Sequence, residues 1–111
     1  YEEIMGEAKK KMPKVTVADV ADHIDYVKKL AGVDHIGIGS DYDGNTNWPE
    51  GMEDVSTFPL LFAELIRRGW SDEDLQKIAG GNVLRALEQA EKVAKEMQVP
   101  AAASAAANAA P

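Results

Sequence analysis

Residues 33–44, V-D-H-I-G-I-G-S-D-Y-D-G, constrain the fold more than any other stretch of the chain. Their pattern predicts a short strand, with Ile36 and Ile38 on one side and Gly37 and Gly39 on the other, because side chains alternate along extended backbone. By the same alternation Asp41 falls on the glycine side. If the isoleucines pack against helices, Asp41 points into whatever the sheet encloses, at the C-terminal end of the strand. Ligands and catalytic groups gather at that end in α/β folds.

The flanking residues read as helices. Thr16 with Asp19 three residues on is close to a capping box, and Val17, Val20, Ala21, Ile24, Val27 and Ala31 then recur at helical spacing until Gly32. Residues 41–56 form a long loop rich in Asp, Asn, Gly and Pro, and loops of that length usually carry function. A second helix follows on Phe58, Leu61, Phe62, Leu65 and Ile66, with Pro59 tolerated in its first turn and Gly69 closing it. Ser71 opens a third helix that Gly80-Gly81 interrupts, and a fourth runs from about Asn82 to Met97 with Val83, Leu84, Leu87, Ala90, Ala94 and Met97 as its buried stripe. Pro100 is expected to end the ordered chain, leaving an Ala-rich tail that is loose or attached to a neighbour. The division is therefore 1–98 as one structural segment and 99–111 as tail.

One strand cannot satisfy its backbone donors and acceptors alone. No second convincing strand is present, and the chain opens at Tyr1 inside a charged, helix-prone stretch at 1–11. The expectation is an incomplete unit whose sheet is supplied from upstream or by another polypeptide.

Charge and composition narrow the chemistry. Twelve basic residues against 19 acidic ones leave a net charge of −7, with no basic stripe, which disfavours nucleic acid as a partner. The absence of cysteine excludes disulfides, Cys-based zinc sites and thiol catalysis, and leaves the compartment open. No apolar run approaches the roughly 20 residues that span a bilayer. Asp41 and Asp43 open like an EF-hand loop, but neither register supplies the required glycine and glutamate. The pair suits acid/base work, but spacing alone favours Asx turns, since D-x-D-G is common turn chemistry. His23 reads as a structural helical histidine, and His35 lies roughly 20 Å along the strand from Asp41 at about 3.3 Å per residue. The two cannot share a metal ion, and no complete transition-metal site is present. Trp48-Pro49-Glu50-Gly51-Met52 lines a pocket mouth or stiffens the loop, Trp70 reads as a clasp between helices, and Arg67 and Arg68 as a solvated helix end.

Taken in order, V-A-D-H-I-D-Y-V, G-V-D-H-I-G-I-G-S-D-Y-D-G, W-P-E-G-M-E-D-V, L-I-R-R-G-W-S-D-E-D-L and G-G-N-V-L-R-A-L-E resemble the C-terminal part of the membrane (renal) dipeptidase family of zinc peptidases. The likeness covers residues 16–95. It implies an α/β fold, the C-terminal portion of a (β/α)8 TIM barrel of the amidohydrolase type. Residues 35–40 would form its last strand, the helix before it the seventh outer helix and the helix at 58–68 the eighth, all incomplete without upstream strands. The resemblance also implies a metallodipeptidase that hydrolyses dipeptides or similar small amides. Its two zinc ions would be held by ligands upstream, so no metal ligand is assigned in this chain. The first Asp of G-S-D-Y-D-G, Asp41, carries over as the catalytic and substrate-binding residue, which handles the proton of the hydroxide that attacks the scissile carbonyl. Asp43 is assigned to supporting the loop. Tyr42 stands where relatives often carry phenylalanine. The implied partners are a small peptide substrate and the remainder of the barrel, as the same or a second chain, and a homodimer stays open. Two other readings stand beside it: a non-catalytic helical interaction or oligomerisation module, and a degenerate barrel relative that binds peptides without cleaving them. Retention of Asp41 and the carboxylate-rich loop favours the enzyme.

Overall fold

Helix α1, Val17–Ala31, begins where the hydroxyl and carboxylate pattern predicts. The Asp19 carboxylate accepts from both the backbone N–H and the hydroxyl of Thr16, at 2.8 and 2.7 Å, satisfying donors that a helix start leaves free. Gly32 ends the helix at φ 88°, a left-handed backbone that a side chain would strain. The computed structural model describes residues 6–7 and 12–108, with side chains through residue 98. The helix expected at 1–11 lies outside the described residues except for Gly6 and Glu7, which are helical.

Helix α2, Phe58–Arg67, carries Pro59 in its first turn, and a short helix α3, Asp72–Gln76, starts at Ser71, whose hydroxyl accepts from the Asp74 N–H. The glycine pair after α3 interrupts the helix as expected: Gly80 leaves helical geometry, with φ 160° and ψ −18°, so Lys77–Gly81 forms a kink from which helix α4, Asn82–Asn108, starts afresh. A Cβ on Gly81 would sit 3.0 Å from the Gln76 carbonyl oxygen, so the kink uses the space that glycine leaves. Helix α4 also continues through Pro100 rather than ending there. Proline removes one N–H from a helix, and the surrounding alanines have the highest helix propensity of any residue.

The core forms where α1, α2 and α3 meet. Ala21 and Ile24 of α1, Leu61 and Leu65 of α2, Leu75 of α3 and Ile78 of the kink are buried, with Ile36, Met52 and Trp70 closing the cluster. Those on α1 and α2 are among the positions that helical spacing picks out, but Ala31 and Ile66, which the same spacing includes, are exposed. The stripe expected on α4 is not buried. Val83, Leu84, Leu87 and Met97 are 62, 60, 54 and 70% exposed.

The expected strand at 35–40 is also absent. Val33–His35 is a 3-10 turn, and from Ile36, whose backbone is extended, residues 36–40 run without a sheet partner; no strand occurs among the described residues. A ladder needs a neighbouring extended segment, and here the Ile38 N–H donates instead to the Ile78 carbonyl at 3.2 Å. The alternation nevertheless holds: Ile36 is buried and Ile38 half-buried, while Gly37, Gly39 and Asp41 are exposed.

Arg68 is not a solvated helix end. Its guanidinium donates to Glu64 and Asp25, each at 2.8 Å, to Asp22, and to the Ala18 carbonyl at 3.0 Å, tying α2 to α1. Among the described residues Arg67 pairs with Glu64 alone, on the exposed side. Trp70 fits the clasp: it is 7% exposed, its Nε1–H donates to Asp25 at 2.7 Å, and Lys28 Nζ lies 3.9 Å above its ring. Hydrogen bonds from Arg67 and Arg68 hold the Glu64 carboxyl down from 4.5 to about 2. Burial pushes the Asp25 carboxyl up, but hydrogen bonds from Arg68 and Trp70 outweigh it and leave it lowered. A carboxylate with a depressed folded-state pKa stabilises above its ordinary value and loses that contribution as pH falls toward the folded one. The melting temperature of the chain is therefore expected to fall as pH drops from 4.5 toward about 2, and Glu64→Gln to flatten that decline. A pH series of thermal melts showing the same slope in both proteins would count against the network.

Candidate functional site

Asp41 stands at the end of the 36–40 segment in a left-handed conformation, φ 53° and ψ 36°, the one described non-glycine residue with positive φ. Aspartate tolerates this region better than most side chains because its short polar group can bond locally. The chain then tightens into a 3-10 turn, Tyr42–Gly44, closed by the Gly44 N–H donating to the Asp41 carbonyl at 3.0 Å. A Cβ on Gly44 would lie 2.6 Å from Asp41 Oδ1, so the glycine of D-Y-D-G gives the carboxylate room to fold back over the turn. The Asp41 carboxylate is exposed, as is Asp43.

The rest of the loop is held by other side chains. Asn45 Oδ1 accepts from the N–H groups of Thr46 and Asn47 at 2.8 and 3.0 Å, Glu53 accepts from Gly51 at 2.8 Å, and Asp54 accepts from the Ser56 N–H at 2.7 Å. A parallel bridge joins Thr16 to Glu50, and the Glu50 N–H donates to the Val15 carbonyl at 2.7 Å. These bonds fasten the loop to the start of α1. An open cleft of about 540 Å³ results, lined by Ser40, Asp41, Tyr42, Asp43, Trp48, Glu53, Asp54 and Val55. Tyr42 and Trp48 also wall a smaller cleft of about 220 Å³ that runs under Gly37 and Gly39 toward Phe58 and Leu61. The Tyr42 ring meets Phe58 edge-on at 5.8 Å, and its hydroxyl is buried with no hydrogen-bond partner among the described residues.

The base of the segment is clamped by two residues that pattern reading gives no role. Asn82 is 7% exposed, and its Nδ2 donates to the carbonyls of Val33 and Ile36 at 2.7 and 2.9 Å. Arg85 adds a bond to the Asp34 carbonyl at 2.6 Å. In sequence Asn82 marks only the start of a helix; its partners lie more than 40 residues upstream, beyond any local signal.

The structure brings Asp41 and Asp43 together around one turn and leaves His23 and His35 exposed and apart from them. Among the described residues no three His, Cys, Asp or Glu side chains form a group that could hold a metal ion. The described residues do not fit a zinc centre by themselves, and such a centre needs ligands from beyond them. No described helix is long and apolar enough to cross a membrane.

Known proteins place these features. Residues 4–101 match the family model of the membrane dipeptidases, peptidase family M19. The chain is 50% identical over 80 residues to human Dipeptidase 3, covering 72% of this chain and 16% of that protein. It is 52% identical over 82 residues to Dipeptidase aclJ of Aspergillus oryzae, covering 74% of this chain and 19% of that one. The crystal structure of the probable dipeptidase PvdM from Pseudomonas aeruginosa superposes with a TM-score of 0.64 at 40% identity, over 78% of this chain and 23% of that chain. The chain thus spans less than a quarter of the relatives it matches. Because the family model matches residues 4–101 of these 111, this chain belongs to the membrane dipeptidase family.

Proposed function

We propose that residues 1–98 form the C-terminal segment of a zinc-dependent dipeptidase, in which 35–40 is the last strand of a (β/α)8 barrel and Asp41, at its end, is the catalytic carboxylate. The observation that carries this reading is the two-sidedness of the segment. Ile36 and Ile38 pack on the chain's own helices, whereas the glycine side is exposed and ends in Asp41. A barrel strand needs that arrangement, with one side on the outer helices and its last residue at the C-terminal rim where catalysis occurs. The relatives are named dipeptidases, which supports a dipeptide or similar small amide as substrate.

In this reading the substrate lies in the cleft beside Asp41. The carboxylate accepts the proton of the attacking water as oxygen adds to the amide carbonyl, and returns a proton to the amine as the C–N bond breaks. Asp43 supports the turn that holds Asp41. The zinc ions, two in number, are held by residues outside this chain. The exposed stripe of Val83, Leu84 and Leu87 on α4 also suits a helical interaction module, the second reading.

Assay of the full-length protein separates the two. The expected result is hydrolysis of simple dipeptides with about two zinc ions per barrel, lost to a chelator and recovered on adding zinc. A full-length protein that carries zinc but leaves every dipeptide intact would overturn the enzyme reading, and the interaction module would lead.

A further inference from the structure

Asp41 shares its cleft with a large aromatic side chain that is partly open to solvent. Trp48 is 39% exposed, whereas the other tryptophan, Trp70, is 7% exposed and hydrogen-bonded. Trp48 lines the 540 Å³ cleft together with Asp41, and also the 220 Å³ cleft that runs toward Phe58. Its indole is therefore a shared wall, polar carboxylates on one side and apolar residues on the other.

The backbone under it is fixed on both flanks. The Asn45 side chain caps the N–H groups of Thr46 and Asn47. Pro49 restricts Trp48 to extended backbone. Beyond it the Glu50 N–H bonds to Val15, and Met52 is buried in the core. An aromatic held out toward solvent on a tied loop loses little freedom when something packs on it, which makes it an efficient contact for an apolar group.

We propose that Trp48 is a specificity-determining residue, forming an apolar wall for a bulky aliphatic or aromatic side chain of a dipeptide whose scissile amide lies at Asp41. The assignment rests on the reading of Asp41 as the substrate-contacting carboxylate. Asp41 sets where the reacting amide lies, and Trp48 discriminates by the side chain beside it. Contacts of this kind in an apolar pocket are worth about 10–200-fold in discrimination.

The test compares kcat/KM of the full-length protein for leucyl-glycine, glycyl-leucine and glycyl-glycine. Trp48→Ala is expected to lower the value for at least one leucine-containing dipeptide by about 10-fold or more relative to glycyl-glycine, and Trp48→Phe to retain most of the preference. Unchanged ratios for both leucine dipeptides in Trp48→Ala would overturn the assignment. A second measurement does not depend on turnover: titration with the reduced-amide analogues of the two leucine dipeptides, followed by tryptophan emission. A change in the wild type that is lost in Trp48→Phe supports the wall, and no change in the wild type rejects it. If the wild type hydrolyses none of the three dipeptides, the emission titration alone decides the place of Trp48, and the dipeptidase reading falls only if every other dipeptide is left intact as well.

Discussion

Replacing Asp41 with asparagine in the full-length protein is expected to cost at least about 10²-fold in turnover while leaving folding and zinc content nearly unchanged. The substitution keeps the shape of the side chain and removes only its ability to take a proton. Asparagine tolerates the left-handed backbone at φ 53° as aspartate does, and it fits the same space against Gly44. The position is exposed, so no core contact is lost. The loss should fall on kcat more than on KM, because a group that moves a proton acts chiefly in the transition state. Wild-type turnover in this variant would remove Asp41 from the chemistry, and a matching fall in melting temperature would make its role structural.

The largest effect on stability is expected at Leu65. It is 0% exposed at the centre of the cluster, among Leu61, Ile78 and Ala21 on three different elements. Truncation to alanine loses the transfer free energy of the removed methyl groups and leaves a cavity that the rigid contacts of α1 and α2 cannot fill. The cost of such a change is about 2–5 kcal/mol. Set against the usual total of about 5–15 kcal/mol for a domain, that is enough to unfold a marginal one. Its neighbour Ile66, 57% exposed on the outer side of α2, is the control, with an expected change within about 0.5 kcal/mol on alanine substitution. Urea titrations of the 111-residue chain and both variants measure the difference. Equal shifts for Leu65→Ala and Ile66→Ala would mean that α2 does not bury the face described.

What the sequence determined by itself is local or periodic. The starts of α1 and α2, the Thr16–Asp19 cap, the Gly32 stop, the buried faces of both helices and the exposed side of Asp41 follow from spacing within a few residues. The family followed from an ordered series of short motifs, each local in the same sense. The tertiary structure alone decided the contacts that join distant residues. Arg68 reads as one more cation at a helix end until α1 brings Asp22 and Asp25, some 46 and 43 residues earlier, against its guanidinium. Asn82 reads as a helix start until its amide meets the carbonyls of Val33 and Ile36. The periodicity of α4 marks an apolar stripe but not what covers it, and among the described residues it lies exposed. The segment at 36–40 follows the same rule. Alternation sets which side each residue takes, but a strand exists only where another backbone lies alongside to accept its hydrogen bonds.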